Sequence, residues 1–126
     1  MNLMNGLTLA YIGDAYYELA IREHLVKQGI GKGNDLHQKA IRFTSASGQA
    51  QAMERLMDEL SDAEHDIFKR GRNAHSTHKP KNADLSTYHR ATGFECLLGY
   101  LYLEHQDARL AELVQKSIAI IEETPE

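Results

Sequence analysis

Residues 10–19 read AYIGDAYYEL, and the reading of this stretch decides the fold. Positions spaced by three and four share one face of a helix, whereas a half-buried strand alternates. Leu7, Tyr11, Asp14, Glu18, Ile21 and Leu25 fall at helical spacing, so a helix is expected from about residue 7 to residue 27. Asp14 stands in that stripe where an apolar residue would pack, and its position demands a reason.

Working outward, the glycines of QGIGKGN (28–34) permit positive φ and stop the first helix. Asn34 or Asp35 can cap a second helix running to about Phe43. Ser45 or Ser47 can cap a third, to about Leu60, with Ala50, Met53, Leu56, Met57 and Leu60 as its apolar set; Gly48 blurs its start. SDAE at 61–64 is a capping-box pattern that opens a fourth helix toward FKRGRNA. In HSTHKPKNAD (75–84), Pro80 holds Lys79 extended, which predicts a basic loop. A fifth helix is expected from about Asp84 to Glu104. A sixth runs from about Asp107 to Ile121, with Leu110, Leu113, Val114, Ser117 and Ile118 inward. No segment alternates as a strand would, and no repeat or low-complexity tract divides residues 1–126, so a single all-α domain is expected.

At 126 residues, such a domain buries roughly two thirds of its unfolded surface and needs no metal or disulfide to hold it together. Cys96 is the one cysteine, which excludes an internal disulfide and a four-cysteine zinc site and suits a reducing compartment. No run approaches the ~18 apolar residues of a membrane span. A cytoplasmic protein without membrane contact is the expectation. The net charge of −4 argues against a nucleic-acid partner only until its distribution is read. Between residues 69 and 90, Lys69, Arg70, Arg72, Lys79, Lys81 and Arg90 face a single acid, Asp84, with His75, His78 and His89 interleaved. By itself a charge run fits a solvated loop as well as a phosphate-binding surface. His75 and His78 are spaced like metal ligands, but no second pair accompanies them.

The fifth helix repeats the oddity of the first. Glu95 shares its face with Ala91, Thr92, Leu98, Gly99 and Tyr102. Each acid has a glycine nearby, Gly13 beside Asp14 and Gly93 two before Glu95. A glycine inside a helix costs about 1 kcal/mol, which suggests close approach of two crossing helices. A carboxylate taken out of water alone costs several kcal/mol. A salt bridge in the core, a water-filled cleft and a bound divalent cation all remain open. Hard cations such as magnesium take oxygen ligands and retain waters, so one or two carboxylates can hold one beside a phosphate, as a nuclease requires. Tyr16, Tyr17, Phe94, Tyr100 and Tyr102 fit core or a dimer interface, and Cys96, without a base partner, reads as a small buried residue.

IGDAYYEL resembles the Gly-Asp-Ala core of the ribonuclease III signature, and FECLLGYLYLE resembles that family's second acidic helix. With NDLHQKA and FKRGRNAHS between them, nearly the whole chain resembles the Mini-ribonuclease III branch, which has a catalytic domain and no separate double-stranded-RNA-binding domain. The resemblance implies an all-helical ribonuclease III catalytic fold, a homodimer, and magnesium-dependent cleavage of double-stranded RNA, with manganese able to substitute. Each protomer's site would cut one strand. The implied substrate is precursor 23S ribosomal RNA, cut near the base of the stem that pairs its two ends, with a ribosomal protein as a possible presenter.

Asp14 and Glu95 match the family's catalytic metal ligands. The longer ribonuclease III enzymes carry two further acids where this chain has Ala10 and Thr92. One tightly held magnesium per protomer is therefore expected on Asp14, Glu95 and waters, with any second ion held mostly by the RNA phosphate. Glu18, one turn after Asp14, can orient water beside the ion or be a surface or interface acid. RNA contacts are expected from Lys69, Arg70, Arg72, His75, Lys79 and Lys81 to phosphates, and from Asn73 and Ser76 to phosphate or 2′-hydroxyl groups. A non-catalytic RNA-binding or ribosome-assembly module on the same fold is the competing reading. Loss of two acids favours it, and retention of Asp14 and Glu95 favours the enzyme.

Overall fold

The computed structural model describes residues 5–31, 33–74 and 84–125. Among them are six α-helices and no strand: α1 (Gly6–Lys27), α2 (Gly33–Thr44), α3 (Ala46–Leu56), α4 (Asp62–Arg72), α5 (Leu85–Leu103) and α6 (Asp107–Glu123), with a single 3-10 turn at Met57–Glu59. The expected order and type of every helix hold. The basic loop expected at 75–84 lies, but for Asp84, outside the described residues.

Local side-chain chemistry sets the starts of α1, α3, α4 and α5. Asn5 accepts from the Leu7 amide at 2.7 Å, Ser45 from Gly48 at 3.1 Å, and Asp84 from Thr87 at 2.8 Å. Such caps satisfy donors that a helix N-terminus leaves without intrahelical partners. The capping box at α4 is complete: Ser61 Oγ accepts from the Glu64 amide at 3.2 Å, and Glu64 Oε1 accepts from the Ser61 amide at 2.9 Å. After α1 the chain turns at Gly29, whose φ of +85° is open to glycine at little cost.

The central helix is α5, buried nearly all round from Ala91 to Leu101, with α1, α3, α4 and α6 packed about it. A helix apolar on every side belongs in the middle of a bundle. Leu110, Leu113, Val114, Ser117 and Ile118 of α6 are buried as expected, and so are Ala50, Met53, Leu56 and Leu60, while Met57 is partly covered. Arg42 ties down the far end of α6, donating to the Ile121 and Thr124 carbonyls at 2.8 and 2.7 Å.

The stripe on α1 is displaced from the expected one. Gly6, Leu9, Ala10, Gly13, Tyr17, Ile21 and Leu25 are buried, whereas Tyr11 is 78% exposed and Asp14 is exposed. Apolar residues surround α1, so hydrophobicity leaves the facing side ambiguous; the contact is made by its small residues. An added Cβ on Gly13 would lie 1.8 Å from the Glu95 carbonyl oxygen, and one on Gly99 would lie 1.9 Å from that of Leu9. Backbone meets backbone where α1 crosses α5. Gly93, expected at this crossing, instead meets α4: its Cβ would lie 2.6 Å from the Phe68 ring.

Candidate metal centre and nucleic-acid surface

The glycine crossing carries the two acids to one place. Asp14 follows Gly13 on α1, and the Glu95 backbone is what Gly13 touches on α5. Asp14 sits at the exposed edge of the contact and Glu95 is half-buried, close enough for their carboxyl groups to hydrogen-bond. Burial first, then the hydrogen bond and charge of Asp14, push the Glu95 carboxyl up to about 9; the charge of Glu18 adds to this and Gln49 opposes it. Without a cation Glu95 keeps its proton at neutral pH, because ionising it beside a neighbouring acid and out of water is costly.

Gln49, which the sequence did not single out, completes the site. It is 2% exposed, and its Nε2 donates to Glu95 Oε2 at 3.3 Å and to the Thr44 carbonyl at 3.1 Å. A glutamine between Gly48 and Ala50, with a second at Gln51, near the start of a helix, gives no signal of a partner far along the chain.

The positions of the two replaced acids are closed. Ala10 is packed in the core, and Thr92 is buried with its hydroxyl donating back to the Tyr88 carbonyl at 3.0 Å. Among the described residues, no three histidine, cysteine or acid side chains gather as a metal cage. Two neighbouring carboxyl groups, with one flank open to solvent, do fit a single hard cation that keeps waters in its other positions. Asp14 and Glu95 are the side chains that could hold it. Glu18 lies a turn further along α1, paired with Arg22 at 3.6 Å. Both line a cleft of about 420 Å³ between α1 and α2, shared with Leu25, His37, Ile41 and Thr44.

Lys69, Arg70, Arg72 and Asn73 cluster at the C-terminal end of α4, where the helix dipole favours cations. Lys69, Arg70 and Asn73 are exposed. Arg72 lies with its guanidinium 5.7 Å from the Phe68 ring centre and donates to Asn73 Oδ1 at 3.2 Å. The Arg70 carbonyl abuts Gly6, two helical turns before Gly13 on α1. At 1.5 Å per residue, that contact lies ~10 Å along α1 from the acid pair. Arg90, also in the basic window, pairs with Glu54 at 3.8 Å. His75, Ser76, Lys79 and Lys81 lie outside the described residues. Cys96 is buried, its thiol pushed up to about 11 chiefly by desolvation, which makes it inert as a nucleophile. No helix among the described residues is long and apolar enough to cross a membrane.

Comparison with known proteins agrees with the fold. The family model described as "Ribonuclease III domain" matches residues 7–106, a span that includes Asp14, Gln49 and Glu95. Proteins named Mini-ribonuclease 3 from Brevibacillus brevis and Enterococcus faecalis are each 48% identical, over 96% and 98% of this chain and 90% and 95% of their own. That of Streptococcus pneumoniae is 44% identical over 97% of both chains. The crystal structure of a Fusobacterium nucleatum protein superimposes with a TM-score of 0.84 at 25% identity, covering 98% of this chain and 97% of the other. The family implies duplex RNA as substrate and a divalent metal as cofactor. The chain belongs to the ribonuclease III family, in its Mini-ribonuclease 3 branch, and is an endoribonuclease of that type.

Proposed function

We propose that Asp14 and Glu95 are the catalytic residues, together holding one magnesium ion per protomer, for which manganese can substitute. The observation that carries this reading is the meeting of the two acids across the Gly13–Gly99 crossing of α1 and α5. When bound, such an ion supplies an activated water and neutralises the charge that builds on the scissile phosphate. Glu95 gives up its proton to bind it beside Asp14, and Gln49 keeps one Glu95 oxygen engaged as an acceptor. Glu18, on the cleft side, orients water next to the site.

The substrate is precursor 23S ribosomal RNA, cut near the base of the stem that joins its ends, in the cytoplasm; this rests on likeness to Mini-ribonuclease 3 proteins. Lys69, Arg70, Arg72 and Asn73, with His75, Ser76, Lys79 and Lys81, grip phosphates and 2′-hydroxyls across the minor groove. A homodimer provides one site for each strand. Its contact face is the exposed apolar side of α1, where Tyr11, Leu19 and Val26 are 78%, 64% and 60% exposed. A ribosomal protein bound to the precursor can present the stem.

The test is cleavage of a transcript carrying both paired ends of the precursor. One magnesium-dependent cut on each strand near the stem base is expected. Cutting scattered along any duplex, with no preference for the stem, would remove the substrate assignment while leaving the activity.

A further inference from the structure

Gln49 is buried, and its Nε2 is held between two oxygens of other helices. Ahead of it, Gly48 is pressed so close to α2 that a Cβ would lie 2.3 Å from the Arg42 carbonyl oxygen, and the Gly48 amide is capped by Ser45. This contact brings the Gln49 amide to the end of α2. There the carbonyl of Thr44, last residue of that helix, is among those lacking an intrahelical donor. Nε2 gives one hydrogen to Thr44 at 3.1 Å and the other to Glu95 Oε2 at 3.3 Å. With two oxygens to face, the amide has only one acceptable orientation, since the flipped group would set oxygen against oxygen.

We propose that Gln49 is a positioning residue for the ribonuclease reaction, holding the Glu95 carboxylate in the rotamer that meets Asp14 and bracing it against the end of α2. The inference rests on the assignment of Asp14 and Glu95 as the metal-holding pair. Glutamate reaches its carboxylate through three rotatable bonds, and the neighbouring acids Asp14 and Glu18 repel it once it is ionised. A buried donor anchored to the backbone of another helix opposes that repulsion without adding charge. Residues that orient a metal ligand in this way typically change metal affinity or activity by 10–100-fold when removed. A glutamine that only closed the end of α2 would affect stability and leave the ion untouched.

The experiment measures manganese binding by the electron paramagnetic resonance of free ion, without RNA, for the parent protein, Gln49→Met, Gln49→Asn and Glu95→Gln. Melting curves and single-turnover cleavage of a labelled duplex accompany it. Gln49→Met is expected to melt as a folded protein, to bind manganese about 10–100-fold more weakly and to lose cleavage rate by a similar factor. Its half-saturating RNA concentration should stay within about twofold, as expected when binding is intact and the chemical step is impaired. Should Gln49→Met fail to fold, Gln49→Asn, whose amide is too short to span Thr44 and Glu95, is read in its place with the same expected loss. Parental manganese affinity and rate in the folded variant, with Glu95→Gln unable to bind the ion, would overturn the role of Gln49 and leave the acid pair standing. Parental manganese affinity in Glu95→Gln would overturn the acid pair, and the role of Gln49 with it.

Discussion

The α-carbon of Gly13 rests against the backbone of Glu95 so closely that a Cβ would stand 1.8 Å from the Glu95 carbonyl oxygen. Because Asp14 is next in sequence, the distance between the two helices also sets the distance between the two acids. Gly13→Ala must therefore move α1 and α5 apart. Overpacking of this kind costs about 1–3 kcal/mol, and with backbone on both sides neither helix can yield locally. The expected result is a lower melting temperature together with a loss of metal-dependent cleavage larger than the fraction unfolded explains. Enzyme kinetics below the melting transition checks this.

The Glu95 carboxyl, raised by burial and by Asp14 to about 9, makes the metal-free protein sensitive to alkali. An acid whose folded pKa lies above its unfolded one is protonated in the folded state while the unfolded chain has released the proton. Between about pH 4.5 and pH 9, stability then falls as pH rises. Glu95→Gln removes this penalty, so the metal-free variant should be more stable than the parent at about pH 8 and equal to it near pH 4. Added magnesium should raise the melting temperature of the parent and not of the variant. Thermal melts with and without chelator provide the comparison.

Glu64 behaves in the opposite sense. Besides its place in the capping box, it takes a two-pronged contact from Arg109, with Nε to Oε2 and Nη2 to Oε1 both at 2.9 Å. Arg109 foremost holds its carboxyl below the usual range. A depressed folded pKa means stability that is complete above the unfolded value near 4.5 and is lost as pH falls through the folded one. Glu64→Gln should cost about 2 kcal/mol at pH 7, typical of hydrogen bonds to charged groups, and progressively less on acidification. Urea unfolding at neutral pH and near pH 3 measures both, and cleavage by the folded variant should be unchanged.

How far the sequence carried these relationships depends on how local each one is. Ser61 and Glu64 are three residues apart, so the start of α4 was legible; the Glu64–Arg109 contact joins residues forty-five apart and left no local trace. Gly13 was read correctly as a crossing point. Gly93 was assigned to the same crossing, whereas Gly99 is the residue there, because a glycine pattern shows that something approaches and not which helix does. The facing side of α1 was misread for a related reason: with Tyr11 and Leu19 as apolar as Leu9 and Tyr17, only residue size identified the packed side. The all-helical order needed none of this, since periodicity and caps are local.

Replacement of Lys69 and Arg70 by alanine tests the RNA surface. Removing a cation that neutralises one phosphate should reduce the slope of log binding constant against log salt by roughly 0.7–0.9. The pair together should weaken duplex binding at low salt while leaving manganese affinity unchanged. Filter binding across a salt series reads the slope, and an unaltered slope would remove the end of α4 from the RNA-binding surface.

The most direct measurement is single-turnover cleavage of an end-labelled RNA duplex by the parent protein, Asp14→Asn and Glu95→Gln, with magnesium and with calcium in its place. Cleavage by the parent in magnesium alone, with either variant slower by at least about a thousandfold yet still binding the duplex, is the predicted result, in line with the cost of removing a principal catalytic group. Parental rates in both variants would contradict the assignment of the Asp14–Glu95 pair as the metal-holding catalytic centre.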